Sequence, residues 1–335
     1  MLYITTRDNK DAFTSHRALT GDFAPDGGRY VPFRLPHYDR SEIAALKEKP
    51  FGQIVAEILN MFFSSRLTGW DVDFCIGRNA ARLVPMSHRI IVAELWHNPE
   101  SKYCAIVRSL CKKITDGNDQ PSEWMTIAVK IAIYFGIYAE MLRTAVISAD
   151  HSMDVSVTAG DFSEPMAAWY ARQMGLPIGM IICTCDEDGY VWDLIYRGVF
   201  NTGSADANLR LGIERLIQGT LGFGEVRRFR EKCQSKNIYN LEEEQLPTLN
   251  AGIFCAVAGK NRAETIINSL FRSNAYIVDP ITALCCGGLQ DYRAKTGSSG
   301  LTLLLAGQTP MDFAAEIANA TGIRADELTD YVKLT

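Results

Sequence analysis

The chain has 335 residues, 47% hydrophobic and 22% charged, enough for two ordinary domains with substantial cores. A formal net charge of -5 argues against nucleic acid or an anionic membrane surface as partner, and the pairs Lys112-Lys113 and Arg227-Arg228 read as solvated helix surface. Nine scattered cysteines, with Cys183 and Cys185 two apart and Cys285 and Cys286 adjacent, fit no zinc spacing and read as small buried residues in a reducing compartment, so no metal is expected.

Residues Met1 to Arg7 lack a charged start followed by an apolar run, so no signal peptide is expected and the expected location is cytoplasmic. The Pro/Gly-rich stretch Ala24 to Pro32 is a turn-laden loop. Phe51, Ile54, Val55, Ile58, Leu59 and Phe62 share one helical face, which predicts a helix from about Phe51 to Phe63. Ile90 to Trp96 reads as a buried strand turned by His97-Asn98-Pro99, and a helix follows with Tyr103, Ile106, Val107, Leu110 and Ile114 inward. After a polar linker, Thr115 to Pro121, a longer helix covers about Met125 to Leu142. Its apolar stretch is broken by Lys130 and Glu140 and is read as too short to span a bilayer.

From there the alternation is that of a doubly wound α/β sheet. Strand Asp154–Val157 leads through the loop Thr158 to Glu164 into a helix opened by Pro165, and Gly175-Leu176-Pro177 precedes strand Ile178–Cys183. Asp186-Glu187-Asp188-Gly189 is a solvated turn lacking the ligand pattern of a calcium loop. Ile253–Val257 is a strand, Asn261 with Glu264 predicts a capped helix start, and Tyr276–Val278 and Leu301–Leu305 are further expected strands.

Four stretches, in order, resemble threonine synthase, a pyridoxal-phosphate (PLP) enzyme of the tryptophan-synthase-β type. Tyr3-Ile4-Thr5-Thr6-Arg7 and the Ala24-to-Pro32 loop are similar to "Y-x-S-T-R" and "A-P-D-G-G-L-Y-V-P", and Glu94-Leu95-Trp96-His97-Asn98-Pro99 to "E-L-F-H-G-P". Val155 to Phe162 with Met174 to Ile178 resembles "V-S-V-P-S-G-N-F-G" and "L-G-L-P-I", and Asp279 to Ala283 with Leu305 to Phe313 completes the set. The resemblance implies a fold-type-II architecture. Its expected parts are an N-terminal helical unit over 1–89, a remnant of a small lobe over 90–150, and a large α/β domain over 151–335.

Departures from the family pattern gather at the implied PLP site. Counting from Pro99 without a gap, Cys104 takes the position of the Schiff-base lysine, and a thiol cannot form that bond. Lys102 is two residues away, a turn of about 200° if these residues open a helix. The phosphate loop "S-G-N-F-G" becomes Gly160-Asp161-Phe162-Ser163-Glu164 after Ala159, with a carboxylate where backbone N–H groups would face a phosphate. Asp161 or Glu164 is expected to cap the following helix instead. Gly307 stands where the resemblance implies a hydroxyl opposite the pyridine nitrogen, and the "S-G-D-T-G" subdomain is missing at the 115–121 linker.

These losses predict a threonine-synthase-like protein without PLP or lyase activity, which binds a small anionic metabolite or a protein partner. No nucleic acid or membrane partner is expected. One alternative is an active PLP-dependent threonine synthase, converting O-phosphohomoserine to threonine with a displaced lysine such as Lys102. Another is a nucleophilic enzyme using Cys104 with His97 as its base.

Overall fold

Strands covered on both faces need near-continuous apolar runs, and the chain supplies several. The computed structural model describes residues 1–77, 81–96, 103–185, 187–324 and 326–334. The N-terminal stretch contributes β1 (Leu2–Thr5), β2 (Phe13–Thr14) and β3 (Tyr30–Pro32), an antiparallel sheet of order β2-β1-β3, so this unit is not purely helical. Then come β4 (Arg82–Met86), β5 (Ile90–Glu94), β6 (Met153–Thr158), β7 (Ile178–Cys185), the ribbon β8 (Val199–Asn201) with β9 (Ile238–Asn240), β10 (Ile253–Val257) and β11 (Thr302–Ala306).

The main sheet has the order β10-β7-β6-β11-β5-β4, parallel except for the antiparallel edge β4. It is an α/β fold with a mixed central sheet. The last strand in sequence sits centrally, with Leu303 opposite Ile91 on one side and Val155 on the other. The sheet draws strands from all three stretches 1–89, 90–150 and 151–335, so those boundaries fall between elements but not between sheets.

Helices Phe51–Phe63 and Glu123–Arg143 pack together beside this sheet. Ser122 starts the second: its Oγ accepts from Met125 N–H at 3.0 Å and donates to Ala18 O at 2.6 Å. Trp124 donates Nε1–H to Tyr3 Oη at 3.0 Å, and Tyr3 passes its own proton to Phe62 O at 2.8 Å. Each such large buried side chain contributes about 1.5–3 kcal/mol of apolar burial, and here its polar tip is also satisfied. At 21 residues the Glu123–Arg143 helix is long and apolar enough to cross a membrane, contrary to the sequence reading, but most of it is buried in the fold. The stretch 115–122 that joins it to helix Tyr103–Ile114 holds only a turn and no strand.

Three local expectations are corrected. Tyr276–Val278 is not a strand. All three side chains are buried, so the run fills core between helices Lys260–Asn274 and Pro280–Thr296 without pairing. Asn261 does not cap its helix, which begins one residue earlier with Gly259 as the flanking residue. The helix after β6 starts at Ser163, and Pro165 is its third residue, where a missing N–H leaves no intrahelical bond unmade.

Candidate functional site

Three parallel strands end at one crevice. β6 sends the chain to β7 on one side, while β11 and then β5 lie on its other side. Such a switch point leaves open space beyond the carboxyl ends of the strands. A cavity of about 300 Å³ lies there, with Leu95, Thr158, Gly307 and Gln308 at the strand ends and Glu164, Asp279 and Cys285 on the covering helices.

The loop leaving β6 is built from short-range bonds. Ala159 N–H donates to Thr184 O at 2.8 Å, and Phe162 N–H returns to Ala159 O at 2.6 Å. The turn needs a left-handed residue at Gly160 (φ +46°), which glycine adopts without strain. Phe162 is also left-handed (φ +68°), a conformation that costs an aromatic residue energy; its full burial holds it there. Asp161 Oδ1 accepts both the Ser163 N–H, at 3.0 Å, and the Ser163 hydroxyl, at 2.6 Å. It thus takes up a donor at the start of the Ser163–Gln173 helix.

Glu164 serves a different end. Lys130, on the Glu123–Arg143 helix, is buried and places Nζ 2.7 Å from Glu164 Oε1 and 2.9 Å from Ser163 Oγ, to which it donates. Tyr134, one turn further along, makes a long 3.5 Å contact with Glu164 Oε2. Burial, with the Glu164 carboxylate nearby, pushes the Tyr134 hydroxyl well above its ordinary pKa. Asp161, Ser163, Lys130 and Glu164 therefore form a continuous polar chain across the loop.

A helix from below braces this loop. A Cβ at Gly212, within helix Ala207–Leu221, would lie 2.2 Å from Asp161 O and 2.7 Å from Phe162 Cβ. Gly212→Ala is expected to destabilise the protein by about 1–3 kcal/mol because backbone must move to admit the methyl group. Urea unfolding checks this; an unchanged midpoint would mean that helix and loop are not in tight contact.

One further carboxylate borders the crevice, and another lies at the end of β5. Asp279 is buried and caps helix Pro280–Thr296, accepting from Ile281 N–H and Thr282 N–H, both at 3.0 Å. Burial raises its pKa, against the pull of its Thr282 bonds. Glu94, at the end of β5, accepts from Tyr276 Oη at 2.6 Å and faces Arg82 Nη1 at 3.7 Å. Burial and the adjacent Glu94 charge together raise the Tyr276 hydroxyl pKa.

Of the residues expected at the site, the crevice wall contains Glu164 and Gly307, while Gly160, Asp161, Phe162 and Ser163 belong to the adjoining loop and are not among its lining. His97 and Lys102 lie outside the described residues. Cys104 is the second residue of helix Tyr103–Ile114, and its side chain lies outside the described ones. Sequence reasoning missed Lys130 as a site residue. Its signal was a lone cation inside an apolar helix, which is costly to bury without a partner. Gly212 and Tyr276 carried no local signal.

The family profile described as "Threonine synthase N terminus" matches residues 2–79. Threonine synthase-like 1 of Pongo abelii is 23% identical over 174 residues, which cover 48% of this chain and 23% of that protein. The chain therefore spans about a quarter of the length of the curated relatives it matches first. A PLP-bound threonine synthase from Brucella melitensis superposes with a TM-score of 0.82 at 17% identity, covering 99% of this chain and 94% of that one. Threonine synthase from yeast gives 0.75 at 14% identity, covering 95% and 89%. Residues 2–79 thus match the N-terminal model of threonine synthase, and the chain has the fold of the threonine synthases to which it is similar.

Proposed function

We propose that this chain is a threonine-synthase-like protein that has lost PLP binding and the lyase chemistry PLP supports. The observation that carries this reading is the occupied loop. Where a phosphate would need the first N–H groups of the Ser163–Gln173 helix, Asp161 already accepts from Ser163, and Glu164 brings a second carboxylate beside it. PLP does not fit these residues. Its dianionic phosphate would face Asp161 and Glu164 at a cost on the order of 1–4 kcal/mol per pair. Gly307 offers no side chain to a pyridine nitrogen, and the amine of Lys130 is engaged with Glu164 and Ser163.

Of the two partner classes expected from sequence, an anionic metabolite is disfavoured at this crevice, since Glu164 and Asp279 line it. A protein partner or an uncharged ligand suits the crevice better. A cytoplasmic, reducing setting belongs to the same proposal: Cys111, Cys183 and Cys255 are buried free thiols.

The test is incubation with PLP, borohydride reduction and peptide mass spectrometry. The expected result is no stoichiometric adduct and no aldimine absorbance. A stoichiometric adduct on Lys102 or Lys130 would overturn the proposal and restore the active-enzyme alternative.

A further inference from the structure

At the opposite end of the main sheet, below the amino ends of the strands, lies a larger cavity of about 670 Å³. It opens between the β4–β5 turn, helices Lys260–Asn274 and Pro280–Thr296, and the 298–299 turn before β11. Arg89, Arg293 and His88 supply its cationic or ionisable groups, and Ser269, Ser273 and Gln290 are among its polar neutral ones. Among the described lining residues there is no Asp or Glu, in a chain whose net charge is -5.

The two arginines are held differently. Arg293 is anchored: Nη1 donates to His88 O at 2.8 Å and Nη2 to Gly300 O at 2.9 Å, and its buried Nε has no partner among the described residues. Arg89 is exposed and stands on a left-handed backbone (φ +57°) directly after a left-handed His88 (φ +60°). Two successive non-glycine residues in that region are costly, and here they turn the chain so that Arg89 borders this cavity. Burial lowers the pKa of Arg293; the charge of Asp154 opposes that and the charge of Arg89 adds to it, so the two guanidiniums sense each other. On its other flank Arg89 borders a second cavity, of about 500 Å³, with Lys47 and His151 in the wall. Positive charge is thus concentrated at this end of the sheet, while the crevice end carries carboxylates.

We infer that the cavity between Arg89 and Arg293 is a second ligand site, distinct from the crevice, which binds an anion of the phosphate class. The guanidiniums would hold the oxygens through charge-assisted bonds, the serine hydroxyls would take the remaining lone pairs, and Leu270 and Leu289 in the same wall would cover an apolar remainder.

The experiment is calorimetric titration of the full chain with inorganic phosphate and, in parallel, with phosphoserine as a phosphate monoester. Arg89→Asn removes the charge and keeps a residue that tolerates positive φ. Gln290→Glu places a carboxylate in the wall at an exposed helix position. Wild type is expected to bind at least one of the two anions saturably. Arg89→Asn should weaken that binding about tenfold or more, the worth of one charge-assisted bond, and Gln290→Glu should weaken it as well. Asp161→Asn in the crevice loop should leave it unchanged. Tighter binding of the monoester would point to a phosphorylated metabolite, and equal binding to phosphate itself; both support the site. Failure of both anions to bind saturably would overturn it, as would binding indifferent to Arg89→Asn. Binding altered only by Asp161→Asn would place the anion in the crevice, overturning this inference and the occupied-loop reading separately from the PLP test.

Discussion

Lys130→Ala is expected to lower the unfolding free energy by about 3 kcal/mol, because it strands the Glu164 carboxylate and the Ser163 hydroxyl at a mostly buried position. The Lys130 side chain is 9% exposed and that of Glu164 22%, so the pair is partly screened and the loss should fall at the low end of the range for buried pairs. The Coulomb attraction largely repaid the desolvation of both ions, so removing both charges should cost far less than removing one. Lys130→Met combined with Glu164→Gln is therefore expected to recover most of the loss. Urea unfolding of the two single variants and the double variant gives the coupling directly. A loss under about 0.5 kcal/mol for Lys130→Ala would show that the ammonium does not secure the loop, and the account of the crevice as internally satisfied would lose its main support.

Arg215→Ala should have the larger effect, about 3–5 kcal/mol, since it leaves an acceptor group and a void together. Arg215 is fully buried on helix Ala207–Leu221; Nη1 donates to Tyr30 O at 3.0 Å, Nη2 bonds the Glu123 carboxylate, and the guanidinium lies 5.6 Å from the Trp124 ring centroid. Its neighbour Glu214 accepts from Thr6 Oγ1 at 2.6 Å and Arg7 Nε at 3.0 Å. One helix of the C-terminal half thus fastens the N-terminal sheet in two places. Arg215→Met fills much of the volume without a charge, so comparing it with Arg215→Ala separates the void from the unpaired carboxylate. Should both variants unfold at the wild-type urea midpoint, this fastening would be energetically irrelevant.

The elements that were legible in the sequence are those with local causes. The 3–4 apolar spacing placed the Phe51–Phe63 helix at its observed bounds, and the strands expected at 154–157, 178–183 and 253–257 fall within the buried parallel strands Met153–Thr158, Ile178–Cys185 and Ile253–Val257. Asp161 could be expected to accept an N–H at the helix start because its acceptor acts only two residues away, but the flanking residue of that helix is Phe162, which offers no side-chain cap. What was not legible depends on partners distant in sequence. Lys130 looked like an interruption in an apolar helix because Glu164 stands 34 residues on. Tyr276–Val278 looked like a strand because complete burial and strand pairing call for the same residues. No local pattern signals the insertion of β11 between β5 and β6, since parallel strands choose neighbours through long crossovers.

That insertion bears on how the protein is made. During synthesis β6, β7 and β10 can pair as soon as residue 257 has emerged, and β4 can fold against β5 much earlier. These two pieces have no shared strand until Thr302–Ala306 arrives and bonds to both. From the synthesis of β6 until β11 arrives, then, β5 and β6 each present a hydrophobic open edge, the kind of surface that chaperones cover and that seeds aggregation. The strand that floors the crevice is also the latch of the whole sheet, so ribosome-bound chains still short of Leu301 are the form of this protein in greatest need of protection.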